Sequence, residues 1–269
     1  MISLIIAIII GMSFYTVCFR AMELNAFWSV TFGILAFFVT QLSLGFFFRK
    51  KVNAVTNEIQ RVLMEAQEKL NRKLSNFQQR PVGSVQQMQK MLEKEQKESL
   101  KQAVRLTDQL EPYYLWSLFL KKQVATMRMQ FYYQMGDLEK VDELMPEVML
   151  MDPMAVGMKM ARQYKNGDSL ENIEKTFRSK IKKFKGDNGT LLYSLFTWIL
   201  LKKDKKEKAL EVISEGKDNT ENEIIIKNWE MLANNKFKSF SNAPLGDQWY
   251  SLRLETMKAP KQKTQRRFR

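Results

Sequence analysis

ISLIIAIIIGMSFYTVCF, residues 2–19, and FWSVTFGILAFFVTQLSLGFFF, residues 27–48, are two apolar runs separated only by Arg20-Ala21-Met22-Glu23-Leu24-Asn25-Ala26. At about 1.5 Å of rise per helical residue, each run approaches the roughly 30 Å hydrocarbon thickness of a bilayer, where a spanning segment must satisfy its own backbone hydrogen bonds. The expected architecture is a transmembrane helical hairpin over 1–48, with helices at about 2–19 and 27–48. Neither run holds an acidic or basic side chain of the kind that marks an ion pathway, which argues against a channel or transporter subunit. Gln41 is a polar exception, suited to joining helices in lipid.

Flanking charge sets the expected orientation. Arg49-Lys50-Lys51 closes the second run, whereas the loop between the runs carries one Arg and one Glu. Basic residues near membrane ends are retained on the cytoplasmic side. The hairpin loop is therefore expected outside and both termini, with the large polar remainder, inside; a bacterial inner membrane fits this topology. A cleaved signal peptide competes with this reading, but Met1-Ile2-Ser3 lacks the usual positive charge and the second run would hold the chain regardless. Cys18, the single cysteine, follows Tyr15-Thr16-Val17 rather than the small residue found at lipoprotein attachment sites, and reads as an inert thiol within the first helix. Alone, it forms no intramolecular disulfide and gives no sign of an oxidising compartment.

Composition excludes much chemistry. With no His and one Cys, the chain lacks the usual ligands for zinc and most transition metals, and the residues of Ser-His and Cys-His nucleophilic catalysis. There is no phosphate loop, dinucleotide fingerprint or calcium loop. The carboxylates read as solvated helix faces. The sequence predicts no enzyme, no cofactor and no metal site.

From 49 to 80, apolar residues at Val52, Val55, Ile59, Val62, Leu63, Ala66, Leu70, Leu74 and Phe77 follow helical spacing and predict a juxtamembrane amphipathic stalk running on from the second membrane helix. Lys69 and Lys73 occupy places where a coiled-coil seam would continue. Two readings stand: packing against the chain's own soluble domain, or a homo-oligomer through this helix. Arg80-Pro81-Val82-Gly83-Ser84 marks a boundary, with Ser84 placed to cap a new helix. From 84 to 257 the pattern is all-α, interrupted by candidate turns at Glu111-Pro112, Gly136-Asp137, Asp152-Pro153, Asn166-Gly167-Asp168, Gly186 to Gly189, Lys203-Asp204, Gly216 to Asn219 and Asn234-Asn235. The sequon Asn188-Gly189-Thr190 reads as part of one such turn.

Three of these turns, Gly136-Asp137, Gly167-Asp168 and Lys203-Asp204, sit between helical patterns at intervals of 31 and 36 residues. These bracket the ~34-residue tetratricopeptide (TPR) period. The segment from Lys122 to Pro153, with Tyr132, Gly136, Asp137 and the closing Pro153, resembles a unit of that family, and Ala209 fills the place of a small residue in a second such unit. The resemblance covers about half of the soluble part. Ala125, Met129, Val141 and Val148 depart from the family pattern, and Pro146 falls inside the expected second helix. What the resemblance implies is a TPR-like α-solenoid whose groove binds other proteins.

Within this region, nine methionines between Met127 and Met160 read as core filler that also suits irregular partners. Tyr113-Tyr114-Leu115-Trp116-Ser117-Leu118-Phe119-Leu120 is too short to span a bilayer and reads as a buried solenoid helix, with a membrane-facing or partner-facing strip as the alternative. Leu245 to Leu254, with Trp249 and Tyr250, reads as the closing element.

Net charge is +14, and the hairpin contributes none of the excess. Cations cluster at Arg178, Lys180, Lys182, Lys183 and Lys185, and at Lys202, Lys203, Lys205, Lys206 and Lys208. The tail 258–269 adds Lys258, Lys261, Lys263, Arg266, Arg267 and Arg269 with no acid, a composition that stays disordered until it meets an anion. Candidate anion-binding residues are Lys180, Lys182, Lys183 and these six tail cations. Acidic lipid is the nearest negative surface, and RNA, ribosomal RNA included, is attracted by the same charge. The expected function is a membrane-anchored cytoplasmic scaffold or adaptor that recruits other proteins; the alternative is a membrane-anchored module for an anionic partner.

Overall fold

The computed structural model describes residues 2–23, 25–80, 83–117 and 119–256. Pro81 and Val82 of the boundary, Leu118, and the tail cations Lys258, Lys261, Lys263, Arg266, Arg267 and Arg269 lie outside the described residues. Every regular element among the described residues is helical and none is a strand, in agreement with the all-α expectation. The chain forms two compact units that divide between Met149 and Leu150.

The first unit begins with α1 (Ile2–Arg20) and α2 (Ala26–Gln79). Asn25 caps α2, its side-chain oxygen accepting from the Trp28 N–H at 3.0 Å. The two helices meet through small residues: Ser3, Ala7 and Gly11 on α1 and Ser29 and Gly33 on α2 are buried. Spacing of four residues puts each set on one helix face. A Cβ on Gly11 would lie 3.0 Å from the Gly33 carbonyl oxygen, and a Cβ on Gly33 would lie 3.0 Å from that of Gly11. Only glycine at both positions permits this approach of backbones. The large apolar side chains, Ile5, Ile9, Phe14, Phe27, Leu35 and Phe38 among them, point outward and are exposed. Only 22% of the apolar window of α1 and 6% of that of α2 is buried, so neither is a core helix of this chain. Both are long and apolar enough to cross a membrane.

Helix α2 continues unbroken for 54 residues, about 80 Å at 1.5 Å per residue. The expected second membrane helix and the stalk are thus one element. The first part of its stripe is covered by the chain itself: Val55, Ile59 and Leu63 pack with Leu100 and Ala103 of α3 (Val85–Asp108) and Phe131 of α4 (Leu120–Met135), whereas Leu74 is exposed. Lys73 stands in a seam position because Glu95 of α3 pairs with it there. Ser84 caps α3 as expected, accepting from the Gln87 N–H at 3.2 Å while the Gln87 side chain accepts from the Ser84 N–H.

Gly136, at φ 80°, ends α4, and Asp137 opens α5 (Leu138–Leu144). Here the sequence reading of Pro146 is corrected. Instead of kinking a full-length second helix, the chain stops α5 after seven residues, two positions before the proline. Proline removes a backbone donor and clashes with the carbonyl four residues earlier, so termination is the cheaper solution.

The second unit contains α6 (Pro153–Lys165), α7 (Leu170–Ile181), α8 (Asp187–Lys202), α9 (Lys206–Thr220), α10 (Glu223–Ala233) and α11 (Asp247–Tyr250). At its centre every residue of α8 from Gly189 to Leu200 is buried, with α6, α7, α9 and α10 packed around it. Phe177 of α7 stacks on Phe196 at 4.7 Å and meets the edge of Tyr193 at 5.4 Å. The closing element lies where the sequence puts it: Trp249 and Leu252 are buried, and the indole N–H groups of Trp198 and Trp249 each donate to Glu255 at 2.8 Å. Buried Asn242 donates to the Ser194 carbonyl at 3.0 Å, tying the segment after α10 to the central helix.

Two turn expectations are corrected in this unit. Gly216 to Asn219 lies inside α9, and the chain turns instead at Glu221, whose φ is 52°. Gly216 is glycine because of what faces it, since a Cβ there would sit 2.8 Å from Cγ of Tyr193. Asn188-Gly189-Thr190 forms the first turn of α8, with Gly189 and Thr190 buried.

The helices pair in chain order, but no two-helix unit recurs among the described residues. Helix α5 has seven residues against sixteen in α4, and α8 is enclosed, whereas stacked repeats leave each pair open along a groove.

Candidate functional site

Three surfaces hold candidate functional residues. On the first unit, the segment 111–119 is the largest departure from the sequence reading. Tyr113 to Leu120 is not a buried helix: a three-residue 3₁₀ turn, Glu111–Tyr113, is followed by further turns, and α4 starts only at Leu120. This segment docks at the base of the apolar hairpin. The Ile2 N–H, one of the donors a helix start leaves without an intrahelical acceptor, donates to the Leu115 carbonyl at 3.0 Å. The Ser3 hydroxyl donates to the Trp116 carbonyl at 3.2 Å, and the Trp116 ring stacks on Phe48 with centroids 4.4 Å apart. Below the rings, Leu110, Leu120 and Val124 pack with Val52, Val55, Tyr113 and Tyr114.

Arg128 of α4 holds the approach to this segment. It donates to the Thr107 hydroxyl at 2.7 Å, to Asp108 at 2.5 Å and to Glu111 at 2.9 Å. Partial burial opposes its charge, yet hydrogen bonding to Glu111 and the neighbouring acids outweigh that cost and hold the guanidinium above its ordinary value.

A second surface lies at the far end of α2 and α3. Leu74, Val85 and Met91 are exposed there, and a groove is lined by Lys73, Asn76, Phe77, Gln79, Arg80, Met88 and Met91. Lys73 and Arg80 are its basic groups, and Phe77, Met88 and Met91 its apolar ones.

The third surface is the basic part of the second unit. Lys180 is half-buried in the last turn of α7, and Lys182 and Lys183 beyond it are exposed; among the described residues none of the three is in an ion pair. Cations at a helix C-terminus also suit the helix dipole. Several of the other predicted cations are engaged internally. Arg178 pairs with Glu215, which also accepts from the Tyr193 hydroxyl at 3.0 Å, and Lys208 pairs with Glu174 at 2.5 Å. Lys202 lies over Trp198, Lys203 over Tyr164 and Lys206 over Phe237, at 5.1, 5.7 and 5.5 Å.

The repeat-motif residues have local structural roles. Tyr132 lies under the Lys140 ammonium at 4.9 Å, Gly136 and Asp137 make the α4–α5 turn, Pro153 opens α6 and Ala209 is buried in α9. Among the methionines, Met129, Met158 and Met160 are buried and Met151 is exposed. Among the described residues no group of His, Cys, Asp and Glu side chains is arranged to hold a metal. Sequence reasoning missed two features. The small-residue stripe Ser3, Ala7, Gly11 was there in its four-residue spacing, whereas the docking of 111–119 has no local signal because it depends on Ile2 and Phe48, distant in the chain.

Comparison with protein families, curated proteins and solved structures finds no match for this chain. The fold itself defines a coarser class: an all-helical chain carrying, near its N-terminus, two helices long and apolar enough to cross a membrane.

Proposed function

We propose that the protein is a two-pass membrane-anchored scaffold or adaptor, its hairpin in a bacterial inner membrane and its helical units in the cytoplasm, where they recruit other proteins. The observation that carries this reading is α2, a single helix that begins in the apolar hairpin and ends about 80 Å away in a solvated helical pair. A rigid element of this kind holds a binding surface at a fixed height above a bilayer. The exposed apolar residues Leu74, Val85 and Met91 near its far end supply a surface that another helix would cover. Arg49, Lys50 and Lys51 at the end of the apolar run support the inward orientation.

A second reading is supported by Lys182 and Lys183, exposed and outside any ion pair among the described residues. In it the protein holds an anionic partner, ribosomal RNA or acidic lipid, at the membrane. An affinity pull-down from gently solubilised membranes separates the two, comparing the intact chain with a variant ending at Met257, each washed at low and high salt. The same proteins retained on both variants at high salt are the outcome expected of a scaffold. RNA, ribosomes or acidic lipid that disappear with the tail or with salt would transfer the function to the basic surfaces.

A further inference from the structure

Tyr113 to Ser117 and Phe119 carry no charged side chain, and Lys121 and Lys122 follow them in the chain. Leu115 is 65% exposed and Phe119 is 55% exposed, although the Leu115 and Trp116 carbonyls and the Trp116 ring are held by the hairpin. Firm attachment with outward apolar side chains is unusual for a solvated turn, whose residues ordinarily favour polar types.

The attachment fixes where the patch lies. Gly11 meets Phe37 and Gly33 meets Tyr15, so α1 and α2 run antiparallel and the start of α1 is level with the end of the apolar run on α2. Leu115 and Trp116 are bound to both at once, through Ile2 and Ser3 on one side and Phe48 on the other. Arg49, Lys50 and Lys51 begin one residue later. The patch is thereby pinned at the boundary between the apolar and the charged part of the hairpin.

We propose that Leu115 and Phe119, with Trp116 between them and the hairpin, form a third membrane contact that inserts into the headgroup–acyl boundary of the bilayer leaflet next to Ile2 and Phe48. The inference rests on the hairpin spanning the membrane. Chemistry favours the occupant: Trp and Tyr rings partition to this boundary, and Lys122, exposed three residues after Phe119, suits anionic headgroups, whereas Lys121 is paired with Glu147. The contact has a mechanical consequence. Through Arg128 and its bonds to Thr107, Asp108 and Glu111, the inserted segment is coupled to α3 and α4, so the stalk is clamped against the membrane surface instead of pivoting on a single helix.

The test uses the full chain in vesicles of mixed zwitterionic and anionic phospholipid. Cys18, the only cysteine, is replaced by Ser, and single cysteines carrying a nitroxide are placed at Leu115, Phe119, Phe38 and the exposed Glu93 of α3. Collision with oxygen, which concentrates in lipid, is compared with collision with a water-soluble nickel chelate. Phe38 should read as lipid and Glu93 as water; Leu115 and Phe119 should favour oxygen, at shallower depth than Phe38. If Leu115 and Phe119 match Glu93 while Phe38 remains deep, the third contact is wrong and the hairpin stands. If Phe38 itself reads as water, the hairpin reading fails and this inference with it. A second measurement avoids labelling the patch: brominated lipids should quench less fluorescence in Trp116→Phe than in the parent, and an unchanged quenched fraction would overturn the contact.

Discussion

Helices α1 and α8 are both rich in apolar residues and opposite in how they use them. Helix α8 buries twelve consecutive residues, large and small, within the second unit. Helix α1 buries only Ser3, Ala7, Gly11 and Cys18 and turns its isoleucines and phenylalanines outward. In water, the drive to bury apolar area requires the first arrangement. Where the surroundings are themselves hydrocarbon, no such drive separates a large side chain from its solvent, and close packing of small residues decides which faces meet. Apolar content therefore says little about the neighbours of a helix; the size order of its inward and outward faces says much more.

The sharpest contrast is a phenylalanine truncation in each region. Phe196 is 0% exposed and stacks on Phe177, so Phe196→Ala should cost about 3–5 kcal/mol and abolish cooperative melting of the second unit. Thermal denaturation of detergent-solubilised protein, followed by Trp fluorescence, measures it. A loss below about 1 kcal/mol would mean that α8 is not the tightly packed centre of the unit.

Next in size is the inverse change, adding bulk where the hairpin is thin. Gly33→Leu places a side chain against the Gly11 carbonyl and Tyr15, and overpacking of this kind costs about 1–3 kcal/mol. Spin-label distances between α1 and α2 should lengthen, while Gly45→Leu, with nothing within 4 Å of its added Cβ, should leave them unchanged. Equal response of the two variants would remove the small-residue contact as the basis of the hairpin.

How much of this was legible follows the same division. The two apolar runs, the Ser84 cap and the turns at Gly136 and Asp152 were readable because a few adjacent residues determine them. Pro146 was visible but misassigned, since the sequence shows that a proline is present and not whether the helix kinks or ends. Gly216 was misread as a turn because its requirement comes from Tyr193, which lies in another helix. The segment at Leu115 was misread for a similar reason: its apolar composition matched a core helix, and only the distant Ile2 and Phe48 reveal that it is a docked turn. Of the candidate basic site, the sequence counted charges correctly, but pairing with Glu174, Glu215 and aromatic rings is a property of packing.

A smaller effect tests the polar side of the α8 environment. Burial first, and then the neighbouring Glu215 carboxylate, raise the Tyr193 phenol above its ordinary value, so the folded unit keeps the proton that the unfolded chain releases in alkali. The resulting contribution is fully present below the unfolded phenol pKa of about 10 and is lost as pH rises above it toward the folded value. Tyr193→Phe should cost about 1 kcal/mol at neutral pH from the lost hydrogen bond and should flatten the alkaline fall in melting temperature. An unchanged alkaline slope would detach Tyr193 from that behaviour.

The smallest expected effect completes the contrast with Phe196. Phe38, 57% exposed on the outer face of α2, has no protein cavity to leave behind when truncated. In lipid, acyl chains fill the space vacated by Phe38→Ala, and the change in stability should stay within about 0.5 kcal/mol. Hydrogen exchange of α1 and α2 amides in vesicles reads this without reference to the second unit. A loss approaching that of Phe196→Ala would break the comparison in an informative way. It would mean that Phe38 is packed against protein in the membrane, and the nearest candidate for that protein is a second copy of the hairpin, since nothing else in the first unit covers this face among the described residues.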